Sequence, residues 1–187
     1  MEFAGAVAAP GSVYDGAVPI AYDVLESALA TAIDTYLRQL IAQVDPQDLY
    51  AVGLYTGGEL SYVAPTANTR SALAMSPGSR WSPPDWALHL TLAESFQPVE
   101  DALAAGWTDD FATFDIDEAR VRETIHRLLG SARQRHFGDT EIVMGMFMGG
   151  MAHPWVEASV AAINPPEVAQ TFRLGLRPCT AANDRHG

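Results

Sequence analysis

A chain of 187 residues, 48% hydrophobic and only 18% charged, has the apolar content to bury a large core as one domain without a disulfide or metal staple. Its net charge of −12, with eleven arginines and no lysine, repels phosphate backbones and excludes nucleic acid as the expected partner. The single cysteine, Cys179, excludes an internal disulfide, and the longest apolar run, Ile142 to Ala152, is about half a membrane span.

The acidity suits a basic protein partner through electrostatic steering, or serves solubility alone. Met1 to Pro10 lacks the positive start of a signal peptide, and arginine without lysine fits a GC-rich bacterial genome. A soluble, cytoplasmic bacterial protein with no membrane association is expected.

Residues 1–18, rich in Ala, Gly and Pro, read as a flexible arm, 19–176 as a single domain, and 177–187 as a disordered tail. From Tyr22 to Val44 apolar residues recur at helical spacing (Leu25, Leu29, Ile33, Tyr36, Leu37, Leu40), and Asp45-Pro46 ends the helix. Residues 49–65 read as a hairpin folded on a Gly57-Gly58 turn, placing Thr56 opposite Glu59, Gly53 opposite Tyr62 and Val52 opposite Val63. Both faces of this hairpin are largely apolar, so it is expected to be covered on both sides. Pro65 is expected to end its second strand, and Thr66 or Asn68 to cap a short helix running to Met75.

A rigid connector follows, Arg80-Trp81-Ser82-Pro83-Pro84-Asp85-Trp86. Trp86, Leu88 and Leu90 alternate with Ala87, His89 and Thr91, which suggests a third strand; a helix starting at Pro83 competes with it. Pro98 and Gly106 bracket a short helix. Asp115 with Glu118 marks the start of a longer one with a core stripe of Val121, Ile125, Leu128, Leu129 and Ala132, stopped at Gly138. Ile142 to Met148 is continuously apolar, as in a central strand. Pro154 opens a helix, and Asn164-Pro165-Pro166 breaks it and begins another that ends near Phe172. The expected fold is α+β, a mostly antiparallel sheet of about four strands packed by helices.

No nucleophile elbow, zinc-protease helix, phosphate loop or dinucleotide fingerprint occurs, so no catalytic residue, cofactor or metal site is assigned. The acidic run Asp109 to Glu118 lacks the spacing of a calcium loop and reads as helix capping beside a solvated loop. His126 is placed on a solvated helix face and His153 in a loop. Trp81, Trp86, Trp107 and Trp155 either fill the core or line a groove; Trp81 and Trp107 are the two expected at the surface.

Three motifs stand in order: Pro65-Thr-Ala-Asn68-Thr69, then Arg80-Trp81-Ser82-Pro83-x-Asp85-Trp86, then Glu157-Ala-Ser159-Val-Ala-Ala-Ile-Asn164-Pro165. Together they resemble the bacterial domain of unknown function 4303 family, over roughly residues 22 to 174. The resemblance brings no activity, so no residue inherits a catalytic role. Small acidic families of this kind resemble immunity proteins of toxin systems, and a non-catalytic interaction module of that type is the leading expectation. The alternative is a small-molecule-binding protein or enzyme with its site between the hairpin and the connector, using Asn68, Arg80, Trp81, Asp85, Trp86 and His89. A homo-oligomer built on the same aromatics is a third reading.

Overall fold

The structure, a computed structural model, describes residues 20–57, 60, 62–106, 111–149 and 154–176. The expected arm and tail, and the readings on Cys179, Gly58, Glu59, Trp107, Asp109, Asp110 and His153, lie outside the described residues. The elements in chain order are α1 (Tyr22–Gln43), β1 (Leu49–Thr56), β2 (Val63–Thr69), α2 (Arg70–Met75), α3 (Gln97–Gly106), α4 (Phe111–His136), β3 (Val143–Met148), α5 (Pro154–Ile163) and α6 (Pro166–Leu176). Short 3₁₀ turns occupy Pro77–Ser79, Pro83–Asp85 and Ala93–Phe96.

Among the described residues six helices pack on a three-stranded mixed sheet of order β2-β1-β3, so the fold is α+β. The expected sheet of four mostly antiparallel strands is corrected: β1 pairs β2 antiparallel but β3 parallel. Residues 86–91 do not form a strand. A 3₁₀ turn begun by two prolines, Pro83–Asp85, leads into the segment, and Leu90 within it and Leu92 just beyond it adopt left-handed backbone with φ of 59° and 65°, unlike a strand. The segment still lies along the outer edge of β2, where Ala67 N donates to Leu88 O (3.3 Å) and Leu90 N to Pro65 O (3.0 Å).

The hairpin forms in a different register. Thr56 pairs with Val63 and Val52 with Ala67, so residues 57–62 make the connection instead of two glycines, and Gly53 faces Thr66 instead of Tyr62. The displacement is an even number of residues, so every side chain keeps its face. Two interactions hold the wider loop: the Thr56 hydroxyl donates to Tyr62 O (2.7 Å), and Leu60 folds back to become fully buried. Pro65 lies within β2 and does not end it. Its carbonyl points to the outer edge, so its missing N–H is not needed by the ladder with β1. The helix cap is Thr69, one residue beyond the expected pair, whose Oγ1 accepts from Ala72 N (3.1 Å).

One sheet face, with Val52, Leu54, Met144 and Met146, packs under α1, α3 and α4. The other, with Ala51, Val143 and Phe147, packs under α5, α6 and the 76–90 connector. In mid-sheet Gly53 faces Gly145, and a Cβ on Gly53 would lie 1.9 Å from the Gly145 oxygen. A Cβ on Gly145 would lie 2.9 Å from Val160 of α5. α4 begins four residues before the expected Asp115 and buries Val121, Ile125, Leu129 and Ala132, while Leu128 is half-buried; Gly138, at φ 53°, ends it. His126 is half-buried and not on a fully solvated face: its Nε2 is buried with no hydrogen-bond partner among the described residues, and burial, with Arg122 beside it, pushes its pKa down.

β3 is buried on both faces as expected but lies at the sheet edge, not its centre. Side chains stand in for a neighbouring strand. Asn164 Oδ1 accepts from Met144 N (2.9 Å), its Nδ2 donates to Met144 O, and Ser159 Oγ accepts from Met146 N (2.9 Å). Arg133, 3% exposed, donates to Asn164 Oδ1 (3.0 Å), Gly138 O and Thr140 O (2.7 Å). Nearby Asp139 and Glu167 offset its buried charge. On the opposite face Asp34 of α1 bridges His136 of α4 (3.0 Å) and Arg38.

Asn164→Ala should destabilise the protein by about 3 kcal/mol or more in chemical denaturation, because it orphans both backbone groups of Met144 and a partner of buried Arg133. The hydrogen bond from His136, with the charges of Arg38, His136 and Arg135, holds the Asp34 carboxyl below its ordinary 3.8 against the opposing effect of burial. A depressed folded-state pKa stabilises above the unfolded value and is lost as pH falls through the folded one. Asp34→Asn should therefore be less stable than the parent at pH about 7, and the gap in melting temperature should close below pH about 4.

Candidate functional site

Between Leu49↔Thr69 and Ala51↔Asn68 the β1–β2 register slips by one residue, leaving Tyr50 as a bulge. A bulge re-aims its extra side chain. Tyr50 and Ala51 both join the aromatic cluster on the α5–α6 face, where the Tyr50 ring meets Trp81 and Trp86 edge-on at 5.6 and 6.3 Å. Its hydroxyl donates to Arg80 O (2.7 Å) and accepts from Asn68 Nδ2 (3.1 Å). Asn68 Oδ1 accepts from Thr69 N (3.0 Å) and Ala87 N (3.3 Å), and Trp86 Nε1 donates to Ser79 O (3.0 Å). Asn68 and Tyr50 thus pin both ends of the connector to the sheet.

Of the six residues singled out in the sequence, four gather around Tyr50: Asn68, Arg80, Trp81 and Trp86. Both tryptophans are buried, Trp81 against Phe172 (4.7 Å) and Trp86 against Phe147 (5.0 Å). Trp81 is 5% exposed, so its expected surface position is corrected. The reason is Gly175, whose bare backbone gives room for the indole; a Cβ there would lie 2.4 Å from Trp81 Nε1. Arg80 alone of the four turns its side chain outward.

The other two residues are not brought to this cluster. Asp85 is exposed and accepts from the Ser82 hydroxyl (2.6 Å), closing a local turn. His89 sits edge-on to Tyr55 (4.8 Å), near the far end of β1, with Nδ1 at 3.2 Å from Thr66 Oγ1. Partial burial pushes its pKa below the ordinary 6.5.

Tyr50, Arg80 and Trp81 form one wall of a cleft of about 240 Å³, whose apolar lining includes Val143 and Val168. Arg70, Glu141 and Glu167 complete its charged rim. These three were not singled out in the sequence. They lie on α2, before β3 and on α6, and no spacing rule links them; only the position of Arg70, directly after Asn68-Thr69, hinted at it.

A second surface is acidic. Between Arg80 and Arg120 the chain carries nine carboxylates and no arginine. Two of them, Glu94 and Asp101, are exposed on the Ala93–Phe96 turn and on α3. Ser95 and Pro98 of the same stretch wall a shallow groove of about 490 Å³ against α1, floored by Val24, Ala28 and Ala32, with Asp23 at its rim. In the Asp109 to Glu118 cluster, Asp117 accepts from Tyr22 and Glu118 pairs with Arg122. Among the described residues no three His, Cys, Asp or Glu side chains gather where they could hold a metal ion, and no helix is long and apolar enough to cross a membrane.

A protein-family model described as a domain of unknown function, DUF4303, matches residues 29–141, more than half of the chain. The match takes in the first two sequence motifs and ends before the third, at 157–165. No curated protein and no solved structure matches the chain.

Removing the Tyr50 hydroxyl leaves Asn68 Nδ2 and Arg80 O each without that partner. Tyr50→Phe should cost about 1–3 kcal/mol of stability in urea denaturation. Burial pushes the Tyr50 phenol up to about 12, against the smaller opposing effects of Asn68 and Arg80. An alkaline absorbance titration of the variant should accordingly lose one late-ionising tyrosine.

Proposed function

We propose, for a chain that belongs to the domain of unknown function 4303 family, a role as a non-catalytic protein-interaction module, an immunity-type inhibitor of a basic toxin in a bacterial cytoplasm. The observation that carries this reading is the acidity beside the α1 groove, where Asp23, Glu94 and Asp101 make no ion pair among the described residues. Arg38 pairs with Asp34, Arg127 with Glu26 and Arg173 with Glu157, and of the nine carboxylates between Arg80 and Arg120, Glu118 alone makes an ion pair among the described residues, with Arg122. Acids spread evenly over a surface serve solubility. Acids concentrated on a stretch without arginine, next to an apolar floor, create a field that draws in and orients a basic amphipathic segment.

A second reading, a small-molecule-binding protein or enzyme, is favoured by one specific feature, the cleft where Arg70, Arg80, Glu141 and Glu167 meet the Tyr50–Trp81 wall.

Co-expression with the toxin encoded beside its gene should restore growth. Asp23→Arg, Glu94→Arg and Asp101→Arg together should slow association with that toxin by about tenfold or more at low salt, with an unchanged circular dichroism spectrum. A native locus without a toxin gene, and recovery of the protein from its host without a partner, would refute the proposal.

A further inference from the structure

We infer that the Arg70–Arg80–Glu141–Glu167 cleft is a binding site for a small zwitterion, a molecule carrying a carboxylate and an ammonium group, of the size of a free amino acid or dipeptide. The site shares no residue with the α1 groove and does not depend on the toxin-inhibitor reading.

The first support is the state of the four charges. Arg38, Arg122, Arg127 and Arg173 each meet a carboxylate within ion-pair distance. Among the described residues, neither Arg70 nor Arg80 makes an ion pair, although two glutamates share their cleft. Glu141 makes none either, and Glu167 feels buried Arg133 without pairing with it. Both signs are therefore present but held apart across one cavity.

The second support is how the cations are held. Arg70 uses Nε on Gln47 O (3.3 Å), which leaves its terminal nitrogens for an acceptor. The Arg80 carbonyl takes the Tyr50 hydroxyl, and its guanidinium lies 5.9 Å from the centre of the Trp81 ring. Guanidinium groups placed in this way offer a planar fork to a carboxylate.

The third support is selectivity. A dianion would meet Glu141 and Glu167, and a dication would meet Arg70 and Arg80, so like-charge repulsion rejects both. A molecule with separated opposite charges satisfies both pairs. The volume of about 240 Å³ lies below the ~300–1,000 Å³ typical of drug-sized ligands, and Trp81, Val143 and Val168 offer an apolar wall for a short side chain.

The test is thermal shift and calorimetry on the full chain with the common α-amino acids and glycylglycine, with succinate, putrescine and inorganic phosphate as controls, each to about 10 mM. At least one zwitterion should raise the melting temperature with a Kd of about 1 mM or tighter, and the controls should not. The variants Arg70→Gln/Arg80→Gln and Glu141→Gln/Glu167→Gln should each weaken binding by about tenfold or more and keep the native circular dichroism spectrum, since all four side chains are exposed. Three outcomes would overturn the inference: no response to any zwitterion, a zwitterion bound equally well by both variants, or a succinate or phosphate response that survives the glutamate variant.

Discussion

A three-stranded sheet has two open edges, and the fold depends on closing the one at β3. Backbone groups buried without partners cost roughly 1–3 kcal/mol each, so an edge that lies beneath helices must find donors and acceptors other than water. Here one amide imitates a strand. Asn164 presents an acceptor and a donor to Met144 as a neighbouring backbone would, and Ser159 serves Met146. Arg133 then holds the imitation in place, since its guanidinium spans Asn164 and the carbonyls that lead into β3. The α4 terminus, the entry to β3 and the corner between α5 and α6 meet at this one group of side chains.

The β2 edge is closed differently, by main chain. Two hydrogen bonds from the 88–90 segment are enough because that segment is clamped at its other end by Asn68, Tyr50 and Ser79. Trp81 and Trp86 are carried inward as part of the clamp. The same arrangement sends the Arg80 side chain outward beside α2 and α6, so the structural device and the charged cleft share a residue.

What could be read from the chain was what depends on near neighbours. The period of apolar residues from Leu25 to Leu40 and from Val121 to Ala132 is a local property, and both helices follow it. The break at Asn164-Pro165-Pro166 was legible for the same reason. The hairpin register was not, because it is decided by Leu60 reaching the core, a contact with remote helices that overrides the turn preference of two glycines. Alternation in residues 86–91 mimicked a strand, but two leucines with left-handed backbone show that docking onto β2 settled the conformation. Parallel pairing of β1 with β3 joins segments far apart in the chain, and no local pattern encodes it. In the cleft, Arg80 and Trp81 stood out through unusual composition. Glu141 and Glu167 are ordinary surface acids until the fold sets them opposite two arginines.

The facing pair Gly53 and Gly145 has a consequence for how this protein can vary. The two glycines leave a bare seam in mid-sheet, and Val160 brings α5 down onto it. That close approach is what lets side chains as short as serine and asparagine reach the backbone of β3. A methyl group on Gly145 would meet Val160, lift the helix and unfasten the edge, and one on Gly53 would strike the β3 backbone itself. The seam and the edge-closing residues are therefore one mutational unit: drift at either is tolerated only with a matching change at the other.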